Sequence, residues 1–317
     1  MTTRDRLTGI AVALLWGMNF LAIRTGLDHF PPYFFAALRF LVIAIPVVIF
    51  VPRPQVPVRW LLLYGVGFGV LQFTFLYWAM NTGMPTGLAS LVQQSSAPMT
   101  VVLGAVLLRE RVGTRQITGI VVAVVGMVAI GWDRFAHASL LPLLLTLCGA
   151  FGWALGNIGS RQARSDSPMR LMLWMTVIPP LPMLALSAAV EGPTAGWSAL
   201  GSSFAPEGWP ALAGLAYIVL LGTIVGSGLW TMLMSRYPAS TVAPFSLLVP
   251  VVGIGSSWLV LGERPTALAL AGGVLVVGGC LFGITRRRTP AGIGEPSAGP
   301  APEAATVALA TPEPART

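Results

Sequence analysis

A chain of 317 residues that is 55% hydrophobic and only 9% charged, with a mean hydropathy of +0.78, is not a soluble globular protein, whose charged fraction is about 25%. So few charges cannot cover that much apolar surface in water, whereas in lipid the outside of each helix is itself apolar. The net charge of +8 does not point to nucleic acid either: all nineteen basic residues are Arg, scattered in ones, twos and threes, as in the loops of a polytopic membrane protein.

A helix crosses the hydrocarbon core with about 20 mainly apolar residues, and the sequence predicts ten such spans. The first, 7–26, contains WGMNF at 16–20. It reads as a retained span rather than a signal peptide, since Arg4 and Arg6 precede it but no small-residue cleavage site follows. The second, 33–51, carries Arg39, the only charge well inside a span. The third and fourth, 60–80 and 86–108, have no charge between them and are cut apart by the turn chemistry of NTGMP at 81–85. The fifth is 114–132, and the sixth, 138–160, contains WALGN at 153–157. The last four are 169–190, 209–233, 240–261 and 266–284. Residues 289–317 then turn to Pro, Ala, Gly, Thr and Glu and read as a disordered cytoplasmic tail.

The arginines orient the set. With the N-terminus in the cytoplasm, fourteen fall inside, from Arg4 and Arg6 to Arg286, Arg287 and Arg288, and only Arg24, Arg134 and Arg264 fall outside. This predicts both termini in the cytoplasm of a multi-pass inner-membrane or plasma-membrane protein. Cys148 and Cys280 lie in apolar runs without a CxxC or a His partner and read as small core residues, and His29 and His137 lie in predicted loops. No catalytic centre, metal site or cofactor is expected.

The chain repeats itself. PTGLASLVQQSSAPMTVVLGAVLLRER runs from Pro85 to Arg111 and PASTVAPFSLLVPVVGIGSSWLVLGER from Pro238 to Arg264, with 25 positions from Pro to Glu in each. Glu-Arg occurs nowhere else, and each copy has a mid-span proline, Pro98 and Pro250. The expected fold is an all-α membrane protein of two five-helix repeats, 1–136 and 137–288. Because five is odd, the second copy is inverted, an arrangement used by secondary transporters with substrate bound near the midplane.

The chain resembles the EamA-type branch of the drug/metabolite transporter superfamily over roughly residues 4–288. The resemblance is carried by WGMNF, Pro31-Pro32 followed by Arg39, GMPTGLASLV at 83–92, Glu110-Arg111, WALGN, and APFSLLVPVVG with Glu263-Arg264. GMPTGLASLV with LLVPVVG is especially similar to that branch's export of O-acetylserine and cysteine. The resemblance implies a ten-helix inner-membrane carrier that moves amino acids or related metabolites outward.

Polar groups in lipid are costly unless they pair or face water, so their placement maps a pathway. Trp16 and Asn19 share one helix face, as do Trp153 and Asn157 in the other repeat. They read as matched walls of one central cavity, against the plainer reading of packing and interhelical hydrogen bonds. Gln94 precedes Pro98 by four residues, as Ser246 precedes Pro250, and a proline frees the carbonyl one turn earlier. Gln72 and Trp230 are weaker pathway candidates. Arg39 either holds a substrate carboxylate or has a structural role, the latter favoured because at its depth it can snorkel or cap carbonyls. Glu110 and Glu263, each just before a new helix, read as structural latches.

The expected function is alternating-access export of a small polar metabolite, with drugs or other metabolites on the same fold as the alternative. An intramembrane enzyme lacks the His, paired Asp or metal site it needs, and a channel lacks a filter loop or charged ring. The expected partners are a small-molecule substrate and the lipid bilayer, with no nucleic acid and a homodimer left open. All acidic residues lie in loops, at span ends or in the tail, so the substrate's own gradient or exchange is the expected driving force.

Overall fold

The computed structural model describes residues 1–237 and 239–284, without the side chains of 134, 137, 239, 240 and 284. The predicted tail and Arg286–Arg288 lie outside the described residues. Among those described, every regular element is helical. Nine helices are long and apolar enough to cross a membrane: α1 Thr3–Leu27, α2 Pro32–Phe50, α3 Val58–Asn81, α4 Thr86–Leu108, α5 Thr114–Asp133, α6 Leu141–Ala163, α7 Pro168–Val190, α8 Pro206–Arg236 and α9 Thr241–Leu261. A further apolar helix, α10, Ala267–Gly283, is shorter.

These bounds lie within a few residues of the predicted spans. The connection between α7 and α8 also holds a short helix, Ala195–Ser202, that the sequence reading leaves as loop. Its Gly196 sits on Phe34, and Trp197 meets the Phe34 ring edge-on at 5.1 Å. A second correction concerns Cys148, which is exposed on the surface of α6 while Cys280 is buried.

Glycines set one of the close helix crossings. Gly149, Gly152, Gly156 and Gly159 recur at the three- and four-residue spacing that lines one helix face, and that face of α6 lies on α3. A Cβ on Gly67 would sit 2.5 Å from Gly156 N, and one on Gly159 would sit 2.6 Å from Tyr64 N. Backbone this close is how helices associate in lipid, where hydrophobic attraction between them is absent.

Five spans are irregular, α7 among them, which breaks between Met175 and Pro180. In α3, Gly65–Leu71 is π-helical, and in α8 so is Tyr217–Val225. Here N–H groups bond five residues back, as Gln72 N does to Gly67 O and Gly226 N to Leu221 O. The helix of α4 tightens at Gln93–Ser95 before Pro98, and α9 breaks at Leu247 and Leu248 before Pro250. Proline has no N–H to give its i−4 carbonyl, and both freed carbonyls find other donors. Gln94 Nε2 donates to Ser246 O at 3.1 Å, and Cys280 Sγ donates to Gln94 O at 3.8 Å.

Candidate functional site

The π-helical stretch of α8 gathers Trp16, Asn19 and Arg39, with Trp230 beside Trp16. Because Gly226 N bonds to Leu221 O, the Gly222 carbonyl is available, and Trp16 Nε1 donates to it at 3.0 Å. The Trp16 ring lies 5.1 Å from that of Trp230. One turn along α1, the Asn19 side chain lies against Gly222, which has no Cβ to obstruct it. Asn19 Oδ1 is buried and accepts no hydrogen bond.

Next to Gly222, Thr223 receives Arg39. Arg39 is 4% exposed. Its Nη2 donates to Thr223 Oγ1 at 2.9 Å and its Nη1 to the Tyr77 hydroxyl at 3.2 Å, with the guanidinium carbon 4.0 Å from the centre of the Phe73 ring. Its Nε is buried without a partner. Among the described residues Arg39 forms no ion pair.

Trp153 joins the same cluster from α6. It meets Phe68 edge-on at 5.9 Å, Phe68 meets Phe73 at 5.8 Å, and Phe73 meets Tyr77 at 5.8 Å. Phe68 belongs to the π-helical stretch of α3, so each of the two tryptophans packs on a π-helix. Asn157 lies apart, with Nδ2 donating to Thr100 Oγ1 at 3.1 Å. Gln94 and Ser246 meet directly, as described. Gln72 is buried beside Gly149 with its Oε1 unpartnered.

The sequence reading misses Tyr77, Thr223, Gln93 and Glu191. Gln93 is 1% exposed, and both its amide atoms are unpartnered. The signal for it was its place beside Gln94 in an apolar span. Thr223 is the lone polar residue in LLGTIV at 220–225.

Carboxylates tie helix ends. Glu263 does not serve the helix that follows it, as expected from its position. It accepts from the first backbone N–H groups of α4, Thr86 N at 2.9 Å and Gly87 N at 3.0 Å, where an anion also meets the positive end of the helix dipole. Glu191 does the same for α2, accepting from Tyr33 N at 2.6 Å and Phe34 N at 3.0 Å. Glu110 instead pairs with Arg161 at 2.9 Å, and both side chains are about half exposed, at 49% and 47%.

Apolar helices long enough to span lipid, irregular at mid-length and carrying buried polar atoms without partners, are the architecture of a membrane transporter. The chain belongs to the EamA-like transporter family, whose model matches residues 6–132 and 140–285, and it is a multi-pass membrane protein of a transporter family rather than an enzyme family. Among its relatives is a Salmonella typhimurium protein named "Probable amino-acid metabolite efflux pump", 40% identical over 298 residues that cover 91% of this chain and 98% of that one. A protein of the same name from Escherichia coli K12 is 39% identical over 297 residues, with the same coverage. More distant is the "Probable terminal-alkyne amino-acid exporter" of Streptantibioticus cattleyicolor, 28% identical over 290 residues, 88% of this chain and 92% of that one. A crystal structure with 19% identity superimposes with a TM-score of 0.57 over 89% of this chain and 96% of its own, a likeness of fold.

Proposed function

We propose that this protein exports amino acids or their small polar derivatives, cysteine and O-acetylserine among them, across the inner membrane by alternating access. The observation that carries this reading is the 40% identity, over nearly the whole of both chains, to a protein named as an amino-acid metabolite efflux pump. The partnerless buried atoms of Asn19, Arg39, Gln72 and Gln93 support it, because such atoms in lipid-embedded helices call for water or a polar cargo.

In this reading α10 is a tenth span, both termini are cytoplasmic, and residues 1–136 and 137–288 are inverted halves. Three correspondences support the repeat. The π-helices of α3 and α8 lie 152 residues apart at their first residues, 65 and 217. Trp16 and Trp153 each pack on one of them. Gln94 and Ser246, matched by their spacing to Pro98 and Pro250, touch each other, as equivalent residues do beside a two-fold axis.

In the same reading the latches mark the two ends of the pathway. Glu263 and Glu191 close the outer end by holding α4 and α2. The positions that match Thr86 and Gly87 in the second repeat are 239 and 240, and Glu110 is the counterpart of Glu263. Glu110 rests on Arg161 instead, and in this reading it is the latch that moves when the inner end closes.

The test is accumulation of labelled cysteine, O-acetylserine and other amino acids in inside-out vesicles, with and without an imposed pH gradient. Accumulation above vesicles lacking the protein is expected, following the substrate gradient. No accumulation of any amino acid, with flux of an uncharged drug instead, overturns the reading. Asn19→Ala and Asn157→Ala are each expected to lower that flux by about 3- to 10-fold, the worth of one hydrogen bond, at normal yields of folded protein. Unchanged flux in both makes them packing residues.

A further inference from the structure

We infer that Arg39 receives the carboxylate of the exported amino acid, with Asn19 and the paired rings of Trp16 and Trp230 receiving its ammonium group, so that residues 222–223 of α8 lie at the centre of a zwitterion site. The inference rests on the amino-acid reading above and names the part of the site that such a cargo needs.

A guanidinium stays protonated at any physiological pH, and this one is 4% exposed inside a helix bundle that lipid surrounds. Its partners are two hydroxyls and a phenyl face. They supply acceptors and a cation–π contact, but no negative charge. A buried ion without a counter-ion costs several kcal/mol, and arginines at membrane depth are paired or face a polar cavity. A residue serving only to tie α2 to α3 and α8 could be neutral and avoid that cost. A charge kept there without a counter-ion among the described residues suits an anion that arrives and departs.

The donors suit a carboxylate. Of the five N–H groups of a guanidinium, the hydroxyls of Thr223 and Tyr77 take one from each Nη, and Nε is unpartnered. Nε together with one Nη forms the planar fork that binds a carboxylate through two parallel hydrogen bonds. The carboxylate enters by displacing one neutral hydroxyl. Thr223 can release Arg39 without being stranded, because its Oγ1 also donates to Ile218 O at 2.8 Å within the π-helix.

The other half of a zwitterion is matched one residue away. Asn19 Oδ1 is a buried acceptor without a donor, and it lies against Gly222, the neighbour of the residue that holds Arg39. The half-buried rings of Trp16 and Trp230, 5.1 Å apart, offer the π-face that an ammonium group favours. Asn19 against Gly222 and Arg39 on Thr223 thus set an acceptor and a cation at successive residues of one π-helix, and the proposed cargo bridges the two.

The experiment uses the purified full-length protein in detergent. The probes are L-cysteine, its decarboxylated analogue cysteamine and L-cysteine methyl ester, all three thiols, with thermal stabilisation titrated for each. L-cysteine is expected to stabilise the wild type, and the two analogues to do so at least 10-fold more weakly. Arg39→Gln is expected to erase that preference for the carboxylate. Arg39→Lys, which keeps the charge but not the fork, is expected to fold and to bind L-cysteine about 10-fold more weakly. A folded Arg39→Gln protein that still prefers L-cysteine over cysteamine overturns the inference and leaves Arg39 a strut. If Arg39→Gln does not fold, Arg39→Lys decides, and unchanged affinity there overturns the inference. A wild type stabilised by no amino acid overturns the amino-acid reading itself, and the site falls with it.

Discussion

Gly156→Leu is expected to lower the melting temperature and the yield of folded protein strongly. A Cβ at this position would lie 2.6 Å from Phe68 Cβ and 2.8 Å from Phe68 N, so backbone rather than a flexible side-chain tip must move. The site is the middle of the α3–α6 crossing, with Gly152 and Gly159 in similar contact on either side. Overpacking a single core site costs about 1–3 kcal/mol or more, against a total stability of about 5–15 kcal/mol. The displacement also passes directly to Trp153 and Phe68. Gly156→Ala is expected to fold with a clearly lowered melting temperature. Gly255→Leu, where an added Cβ meets nothing within 4 Å, is expected to keep normal yield and stability. Monodisperse yield and thermal unfolding of the three variants in one detergent check this. A Gly156→Leu protein that purifies and melts like the wild type would mean that α3 and α6 do not pack as described.

The second large effect is an asymmetry between two glutamates that the sequence presents as twins. Glu263→Ala removes two charge-assisted hydrogen bonds from the start of α4, worth about 1.5–3 kcal/mol each where the groups are buried and less at this partly buried end. Glu191→Ala removes the matching pair from α2 and is expected to fall in the same range. Glu110→Ala removes one half-exposed ion pair with Arg161, worth about 0–1 kcal/mol. Melting temperatures of the three variants are therefore expected to separate, with Glu263→Ala and Glu191→Ala well below Glu110→Ala. Equal losses for Glu263→Ala and Glu110→Ala would show that the two carboxylates hold equivalent contacts at once.

The same pair shows what could be read early and what could not. That Glu110 and Glu263 matter to helix ends follows from their place after a span and before the next. That Glu263 serves α4 does not, because its partners Thr86 and Gly87 stand 177 and 176 residues away, and no local pattern reports a contact over that distance. Glu191 looked like any loop carboxylate for the same reason. The proline argument went further: a missing N–H is a local fact, so the freed carbonyls of Gln94 and Ser246 were legible, but the donors that took them come from other spans. The π-helices had no signature beyond glycines 65, 67 and 69 in α3, and they decide which carbonyls of α8 are open to Trp16.

Arg39 divides the two kinds of knowledge most clearly. Its position inside an apolar run is a property of sequence, and it is enough to mark the residue as costly and therefore purposeful. Whether that cost is met by a carboxylate, by water or by hydroxyls depends on which side chains of α3 and α8 reach the same point. Membrane class and the placing of nine spans were determined by the sequence alone, because hydropathy and turn residues act over short stretches of chain. The meeting of Arg39 with Tyr77 and Thr223, the Gly222 carbonyl given to Trp16, and the helix starts held by Glu263 and Glu191 were decided only by the tertiary structure. These contacts depend on how helices distant in sequence rotate and slide against each other, which lipid, as apolar as the helix surfaces themselves, does little to dictate.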